Sequence, residues 1–465
     1  MTTIRKTLVR LAYVGMPLLA TGCAGLPPKD GAPAVPGAYS MSASQSAATL
    51  DARWYQAFNS EELDSLLAEG ESGNLTLAAA GARVQQAMAR TRAARAALLP
   101  GVDLVGTATR FAGRSGSVSA SETDWSALLS ASYELDFWGR NRAGARSAAA
   151  QAMASAADRT TLLLTTQGAI ASTYFAVLAL RERIDIASDD LASARHILAI
   201  VEARHSGGTA SVAELAAQRA SVAAAETNAA ELRGQEASLL GALAVLSGHD
   251  PEGFDIQARE LTPLHEPEVG AVLPADLLRR RPDVLSSEAA LQAARADLEV
   301  ARAAFLPSMS LTVSGGVQSP AVQAAVTTLA GTGSAFTVGA SLLQAVFTGG
   351  RRAAVREEAR AREEEMLFDY RAAIRNALLD VETVLATRKA LDEQRPARAQ
   401  ALAQAQLTLQ VAEARYQAGS GDFLALLDAQ RTLHAVRDSD AQYRLTRFQA
   451  CVDLFKAIGG GWQQP

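Results

Sequence analysis

Hydrophobic residues recur every seven positions along the stretch from Asn141 to Arg204, which no proline interrupts. The repeat runs through Leu163, Ile170, Val177, Ile184, Leu191 and Leu198. A seven-residue repeat sustained over this distance is typical of a long helix packed against other helices. Roughly 60 residues at about 1.5 Å of rise per residue predict a rod about 90 Å long. Globular helices average about 11–12 residues, so this rod organises the chain around it.

Strand-like segments come directly before the rod. Val102–Phe111 and Trp125–Phe137 are rich in β-forming residues, and Gly113–Ser121 between them is rich in glycine and serine. This order predicts a hairpin of two strands with a long polar loop. Upstream, the alanine- and arginine-rich stretch Glu62–Leu99 predicts a helix that ends before Pro100.

Paired glycines mark the far end of the rod. Gly207 and Gly208 follow the helical pattern, which predicts a C-cap and a chain reversal. Val212–Leu246 is helical again, so the rod and this segment are expected to form a helical hairpin. Glycine and proline punctuate Ser247–Pro267, which predicts a loop, and Pro282–Ala304 predicts another helix.

The same order of elements starts again in the second half of the chain. Two strand-like segments, a long helix and a returning helix follow one another at Leu311–Val317, Phe336–Phe347, Arg351–Arg415 and Asp422–Ile458. Short motifs also recur at a nearly constant offset, such as Glu202-Ala203-Arg204 and Glu413-Ala414-Arg415. Shared strands, prolines and tip glycines make chance similarity between alanine-rich helices a poor explanation. The pattern therefore predicts a tandem duplication.

The duplication divides the chain into two structural repeats. The first, residues 51–267, is expected to contain a helix, a strand pair at 102–137, a long helical hairpin at 141–246 and a loop. The second, residues 268–462, is expected to contain a helix, a strand pair at 311–347 and a long helical hairpin at 351–458, followed by a tail at 463–465. Pro396 predicts a kink in the second rod.

Residues 1–22 have the pattern of a secretory signal peptide. Arg5, Lys6 and Arg10 precede the apolar run Leu11–Ala20, which is too short to span a membrane. Small residues then precede Cys23, as in the lipobox of bacterial lipoproteins, and this resemblance implies a covalent lipid on Cys23. An ordinary signal peptide with an incidental cysteine is the alternative. Residues 23–50 predict a flexible tether, because Pro, Ala, Ser and Gly dominate them.

Charge and chemistry exclude several classes of function. The net charge of −5 offers no support for a nucleic-acid partner. Two cysteines are too few for a disulfide framework or a cysteine-based zinc site. No nucleophile, base and orienting group form a recognisable set, so we predict neither an enzyme nor a cofactor besides the lipid. The histidines lack metal-ligand spacing and are interpreted as solvated surface residues: His196, His205, His249, His265 and His434.

Four strands per chain are too few to close a membrane barrel, which needs about eight or more. After Cys23, no run of about 18 consecutive apolar residues predicts a transmembrane helix. If the chain crosses a membrane, several copies must therefore pool their strands, and three copies would supply twelve. The alternation of the strands fits a barrel only loosely, so periodicity alone leaves this arrangement open.

Ordered motifs cover the chain from Trp54 to Trp462. They include Trp54-Tyr55-Gln56-Ala57-Phe58, Tyr133–Arg140, Leu273–Val284, Arg302–Pro307, Phe347–Arg352 and Leu426–Arg431. In content and order these motifs resemble those of the TolC-like outer-membrane efflux proteins, in particular the NodT/OprM-type lipoprotein branch. The resemblance implies a mainly α chain with a small β part, in which tandem long coiled-coil hairpins form an α-helical barrel.

The resemblance also implies an assembly and a set of partners. Four β-strands from each chain would contribute to a twelve-stranded barrel of a homotrimer, embedded in the outer-membrane lipid of a Gram-negative bacterium. A helical tunnel would project into the periplasm and dock on an adaptor (membrane fusion) protein and an inner-membrane RND-type pump. The implied function is that of an exit duct, which conducts drugs or other small molecules passively.

Gate residues follow from the same resemblance. Asp428 matches a family position that narrows the periplasmic aperture, and Leu424, one turn earlier, would add an apolar constriction. Three copies of Asp428 around a narrow axis would form a carboxylate ring that favours cations. Tyr416 matches a tyrosine that ties the inner to the outer helix pair in some relatives, with Glu214 as its candidate partner.

The helical-hairpin tips are the expected docking points for the adaptor and the pump. Their glycines are Gly207, Gly208, Gly419 and Gly421. Gly421 stands where some relatives carry a basic residue of the lock, so the lock is expected to be looser or built differently.

Two other functions remain as alternatives. The same duct could serve a protein secretion system, although the lipobox and the Leu273–Val284 motif favour drug efflux. A periplasmic adaptor or structural protein would also use helical hairpins. The paired strands of both repeats and Trp138-Gly139-Arg140 speak against that second alternative.

Overall fold

The computed structural model describes residues 53–115, 118–267, 280–319 and 334–460, which lie within the compact unit Val35–Pro465. The chain is mostly helical, and a short 3-10 helix, Trp54–Phe58, begins the described part. The helices are α1 (Glu61–Gly73), α2 (Leu75–Ala96), α3 (Arg140–Ser206), α4 (Val212–Ser247), α5 (Pro282–Ala303), α6 (Arg351–Gln417) and α7 (Phe423–Ala457). The strands are β1 (Gly101–Ser115), β2 (Val118–Leu135), β3 (Ser308–Ser319) and β4 (Ser334–Leu343). The expected signal peptide, Cys23, the tether and the tail lie outside the described residues.

The four strands form one antiparallel sheet in the order β1-β2-β3-β4. β2 and β3 come from different repeats and pair from Trp125↔Ser319 to Leu135↔Met309. The two sequence halves are therefore joined into one sheet by backbone hydrogen bonds. β1 and β4 are its terminal strands, and each has one edge without a partner in the described part of the chain.

The prediction of a loop at Gly113–Ser121 is wrong over most of that segment. Backbone pairing continues past Phe111↔Glu122 and Gly113↔Ala120 as far as Ser115↔Val118. Glycine and serine have low β propensity, but ladder hydrogen bonds join backbone groups and do not require particular side chains. The amino-acid composition of this segment therefore gave no sign of how far the hairpin extends.

The two long helices have the same length. α3 and α6 contain 67 residues each, which corresponds to about 100 Å of helix. The return helices α4 and α7 contain 36 and 35 residues, and α2 and α5 contain 22 each. These matched lengths are those expected of a duplicated sequence. Pro396 lies inside α6, which continues through it.

The helix expected over residues 62–99 is two helices that meet at Asn74. The backbone of Asn74 is extended. Its side-chain Oδ1 accepts hydrogen bonds from the N–H groups of Thr76 at 2.9 Å and Leu77 at 3.1 Å. Asparagine is a favoured N-cap because its side chain satisfies the free donors of the first turn. Asn74 Nδ2 also donates to the carbonyl of Leu246 at 3.0 Å, which fixes the break against the end of α4.

Aromatic side chains from separate elements meet in the core beside the middle of α3. Trp54 stacks on Phe455 with ring centroids 5.0 Å apart. Phe175 lies between Phe58 at 4.9 Å and Phe448 at 5.0 Å. Full burial of a large apolar side chain contributes about 1.5–3 kcal/mol. This cluster fastens the 3-10 helix at the amino end of the described chain onto α3 and α7.

One 18-residue window of α3 has a mean hydropathy of 1.4, apolar enough by length and composition to cross a membrane. Within that helix 56% of the window is buried in the protein. Ile170, Tyr174 and Leu178 are buried in the core, so packing against other helices accounts for the hydropathy.

Candidate functional site at the hairpin tips

The two hairpin tips repeat one backbone geometry. Gly208 and Gly419 both have φ of +74°, in the left-handed region that glycine adopts without strain. In each tip the residue after this glycine donates its N–H to the carbonyl of the last helical arginine, Arg204 at 2.9 Å or Arg415 at 3.0 Å. Gly207 is the C-cap of α3, with φ of −79°. The tips expected from sequence therefore lie at the ends of both long helices.

Gly421 occupies a place in the second tip with no room for a side chain. A Cβ there would lie 2.8 Å from the backbone nitrogen of Tyr416 and 2.9 Å from the carbonyl carbon of Arg415. The Gly421 N–H donates to the Arg415 carbonyl at 2.9 Å. The basic residue that some relatives were expected to carry here would not fit this backbone.

Leu424 and Asp428 lie on the exposed face of α7, one helical turn apart. Leu424 is 67% exposed and Asp428 is also exposed, whereas Phe423, Leu426 and Leu427 are buried in a cluster that joins the two tips. Residues at i and i+4 share one helix face. Among the described residues no donor or cation binds the Asp428 carboxylate. An apolar side chain and a free carboxylate are therefore presented together beside the tip.

Tyr416 joins the two tips through Arg204. Arg204 Nη1 donates a hydrogen bond of 2.7 Å to the backbone carbonyl of Tyr416, and its guanidinium lies 4.5 Å from the centroid of the tyrosine ring. The ring is 2% exposed and packs on Phe423, with centroids 5.9 Å apart. Sequence reasoning missed Arg204, although it ends the Glu-Ala-Arg motif found in both repeats.

Glu214, the expected partner of Tyr416, makes no hydrogen bond with the tyrosine hydroxyl. That hydroxyl is buried and has no hydrogen-bond partner in the described part of the chain. Glu214 is half-buried in the first turn of α4, where Ser211 Oγ accepts its backbone N–H at 3.2 Å. Burial raises the pKa of Tyr416, and the negative charge of Glu214 adds to this against the opposing charge of Arg204. The expected hydrogen bond between Glu214 and Tyr416 is therefore not formed, and only the charge of Glu214 acts on the tyrosine.

Polar pairs join α3 to α7 farther from the tips. Arg183 Nε donates to Asp438 at 2.5 Å, Gln430 Nε2 donates to Ser193 Oγ at 3.3 Å, and His434 Nδ1 contacts the Asp190 carboxylate. The interpretation of His434 as a solvated surface histidine is therefore wrong. Its hydrogen bond with Asp190 raises the pKa of His434, although burial and the charge of Arg183 oppose the increase. Two hairpins of one chain are thus linked by a group that titrates.

A comparison with protein families identifies the chain. The model of the outer membrane efflux protein family matches residues 66–249 and 273–460. The pyoverdine export outer membrane protein OpmQ of Pseudomonas aeruginosa is 41% identical over 464 residues, covering 97% of each chain. The cation efflux system protein CusC of Escherichia coli O6:H1 is 29% identical, covering 96% of this chain and 97% of CusC.

Solved structures agree with the sequence comparison. The crystal structure of CusC has a TM-score of 0.82 at 28% identity and covers 92% of this chain and 98% of that one. The outer-membrane channel OprN has a TM-score of 0.87 at 25% identity and covers 95% of this chain and all of that one. The chain therefore belongs to the outer membrane efflux protein family and is an efflux channel of the outer membrane.

Proposed function

We propose that three copies of this chain form the exit duct of a tripartite efflux pump. Small molecules would pass through it passively, from a periplasmic adaptor and an inner-membrane RND-type pump to the exterior. The open sheet carries this proposal, because β1 and β4 each leave one edge without a partner among the described strands. Unpaired backbone groups cost several kcal/mol each in a membrane, so these edges require strands of other copies. Three copies supply twelve strands, enough to close a barrel.

Charges beside the two sheet edges support the same assembly. Pairing β4 of one copy with β1 of the next brings α6, which follows β4, beside the neighbour's α2, which precedes β1. α2 contains no acidic residue and carries four exposed arginines: Arg83, Arg90, Arg92 and Arg95. None of these forms an ion pair with a described carboxylate. Residues 351–365 of α6 carry five arginines and five glutamates, and the exposed Glu357, Glu358 and Glu364 form no ion pair with a described residue. These three glutamates would be available to pair with the α2 arginines of the next copy.

The exposed face of α7 supports a selective aperture at the tips. Around a three-fold axis, Leu424 would supply an apolar ring and Asp428 a ring of three carboxylates one turn away. Rings of carboxylates attract cations and repel anions at close range. Tyr416, with Arg204 and Glu214, lies between the hairpins and would hold the aperture closed. The glycine-containing tips would meet the adaptor and the pump.

Names of relatives favour small cargo over protein secretion. OpmQ exports pyoverdine, CusC belongs to a cation efflux system, and TtgC of Pseudomonas putida, 29% identical, to a toluene efflux pump. None of these cargoes is a protein. Efflux of small molecules is therefore the proposed activity, and the family match removes the support for a periplasmic adaptor. The duct itself catalyses no reaction in this proposal.

Single-channel conductance tests the aperture. In planar lipid bilayers we expect Asp428→Ala to raise the conductance severalfold and to lower the preference for potassium over chloride. The physical reason is the loss of three carboxylates from the narrowest ring. The matched control is Glu231→Ala, which removes an exposed carboxylate from the middle of α4. Equal conductance and selectivity in the wild type and both variants would place the constriction elsewhere.

A covalent lipid on Cys23 completes the proposal. SilC of Salmonella typhimurium, 27% identical over 470 residues, bears the name probable outer membrane lipoprotein. Intact mass spectrometry of the membrane-extracted protein is expected to show a chain that begins at Cys23 and carries acyl chains. Cys23→Ser should lose that mass increment. A mature chain that begins elsewhere, with an unmodified cysteine, would contradict this.

A further inference from the structure

Each long helix begins directly below the sheet, and the duplication allows the two starts to be compared. At the start of α3 every nearby arginine has a carboxylate partner. Arg140 binds Glu134 at 2.7 Å, Arg142 binds Asp136 at 3.2 Å, and Arg146 pairs with Glu299. Asp136 also accepts the backbone N–H groups of Asn141 at 3.1 Å and Arg142 at 2.9 Å. The positive charge at this helix start is thus neutralised within the chain.

The start of α6 lacks this compensation. Arg351, Arg352 and Arg356 pair with no carboxylate among the described residues. Arg352 Nη1 donates only to the carbonyl of Ala345, at 3.4 Å, and Arg356 lies over the ring of Phe305, 5.1 Å from its centroid. These three arginines therefore have no carboxylate partner in the described part of the chain.

The duplication explains which anion is missing. Phe347-Thr348-Gly349 repeats Phe137-Trp138-Gly139, so Val346 occupies the position that corresponds to Asp136. The carboxylate that binds Arg142 and the start of α3 is thus replaced by an apolar side chain, whereas Arg352, the counterpart of Arg142, is retained. The same cationic arrangement occurs twice, but its internal anion occurs once.

Apolar side chains surround these arginines on the side of the sheet. Leu343 is 72% exposed, Val346 is 95% exposed and Phe347 is 89% exposed. A cavity of about 300 Å³ lies beside them, and Arg351 and Arg352 line it. Glu134 and Asp136 line it as well, but their carboxylates are paired with Arg140 and Arg142. Exposed apolar groups next to unpaired cations match the boundary between acyl chains and phosphate headgroups.

We propose that the start of α6 is a binding surface for an anionic phospholipid headgroup. The lipid phosphate takes the place that the Asp136 carboxylate fills in the first repeat and accepts hydrogen bonds from Arg351 and Arg352. The acyl chains lie against Leu343, Val346 and Phe347. This assignment rests on the proposed function, because the strands must cross the membrane for the helix start to lie at headgroup level.

Titration of lipid into the full-length, detergent-solubilised assembly tests this surface. Native mass spectrometry would follow binding of phosphatidylglycerol, with phosphatidylcholine in parallel. One arginine beside an anionic surface contributes about a fivefold change in affinity, so Arg351→Gln with Arg352→Gln should weaken phosphatidylglycerol binding roughly thirtyfold. The control, Arg233→Gln with Arg259→Gln, removes two exposed arginines elsewhere and should bind like the wild type.

Other outcomes separate the possible sources of the anion. Equal loss of phosphatidylglycerol binding in both double variants would overturn the assignment. Displacement of the lipid by millimolar inorganic phosphate would mean a site for free anions and would also overturn it. A smaller assembly mass for Arg351→Gln with Arg352→Gln would assign the arginines to contacts between copies. Wild-type conductance of this variant would show that the duct itself is intact, so failure of the lipid site and failure of the proposed function are distinguishable.

Discussion

At the scale of single residues, the tips are held by groups whose roles differ from those that their types suggest. The Tyr416 ring is buried against Phe423 and Arg204, whereas its hydroxyl has no partner among the described residues. Arg204 reaches the backbone carbonyl of Tyr416, which any residue at that position would offer. The contact between the hairpins therefore depends on the arginine and on the aromatic ring, and not on the phenolic group.

Two substitutions separate these contributions. Tyr416→Phe should leave the closed tip intact and keep or raise stability, because a buried hydroxyl without a partner costs about 1–3 kcal/mol. Arg204→Ala should loosen the tip by about 1–3 kcal/mol, since it removes a charged hydrogen bond and a cation–π contact. Thermal unfolding and single-channel conductance check both effects. An open channel with Tyr416→Phe and a closed one with Arg204→Ala would reverse this assignment.

His434 gives the contact between α3 and α7 a pH dependence. Because its pKa is raised in the folded state, protonated His434 stabilises the pair with Asp190 fully below the ordinary value of about 6.5. This contribution is lost as the pH rises through the raised value. The groups facing His434 are Asp190 and Arg183 from α3 and Asp438 from its own helix.

Unfolding temperatures across this pH range test the His434 contribution. The difference between the wild type and His434→Gln should be largest near pH 6 and shrink towards pH 9. In an Asp190→Asn background, His434→Gln should have little effect at either pH. A constant difference across the range would mean that the pair does not titrate there.

At the scale of elements, the sequence predicted nearly every helix but not every boundary. The heptad repeat and the tip glycines identified α3 and α6, because helical periodicity over many turns is hard to mistake. The break at Asn74 was missed because asparagine is also tolerated inside helices, and only its contact with Leu246 shows the cap. The β hairpin was predicted, but the continuation of its strands to Ser115 and Val118 was missed because that part is made of residues with low β propensity.

The α2 arginines and the α6 glutamates that have no described ion-pair partner give a test of the contact between copies. Arg92 lies about 6 Å before the end of α2 and Glu358 about 10 Å after the start of α6, at 1.5 Å per residue. We therefore expect the two residues to lie at similar distances from the sheet in neighbouring copies. Arg92→Glu should weaken the assembly at low protein concentration, and adding Glu358→Arg should restore it, as measured by analytical ultracentrifugation in detergent. If Glu358→Arg does not restore the assembly, α2 and α6 do not contact each other between copies through these residues.

At the scale of the whole molecule, the resemblance predicted the family and the fold that the comparisons confirm. The resemblance could not predict the contact of Arg204 with Tyr416 or the contact of Asp190 with His434. Those pairs join residues more than 200 positions apart, and their contact depends on the axial register of one hairpin against the other. Periodicity defines which face of a helix is buried but leaves this register free. The gate assigned to Asp428 and Leu424 stays a prediction until conductance is measured.

The protein mass of the detergent-solubilised assembly, measured by light scattering, tests the central claim most directly. A duct built from this chain needs three copies, because a four-stranded sheet with two open edges cannot close alone. We expect three times the mass of one mature chain over a range of concentrations. A monodisperse single chain that stays folded without detergent would contradict the barrel and, with it, the proposed duct.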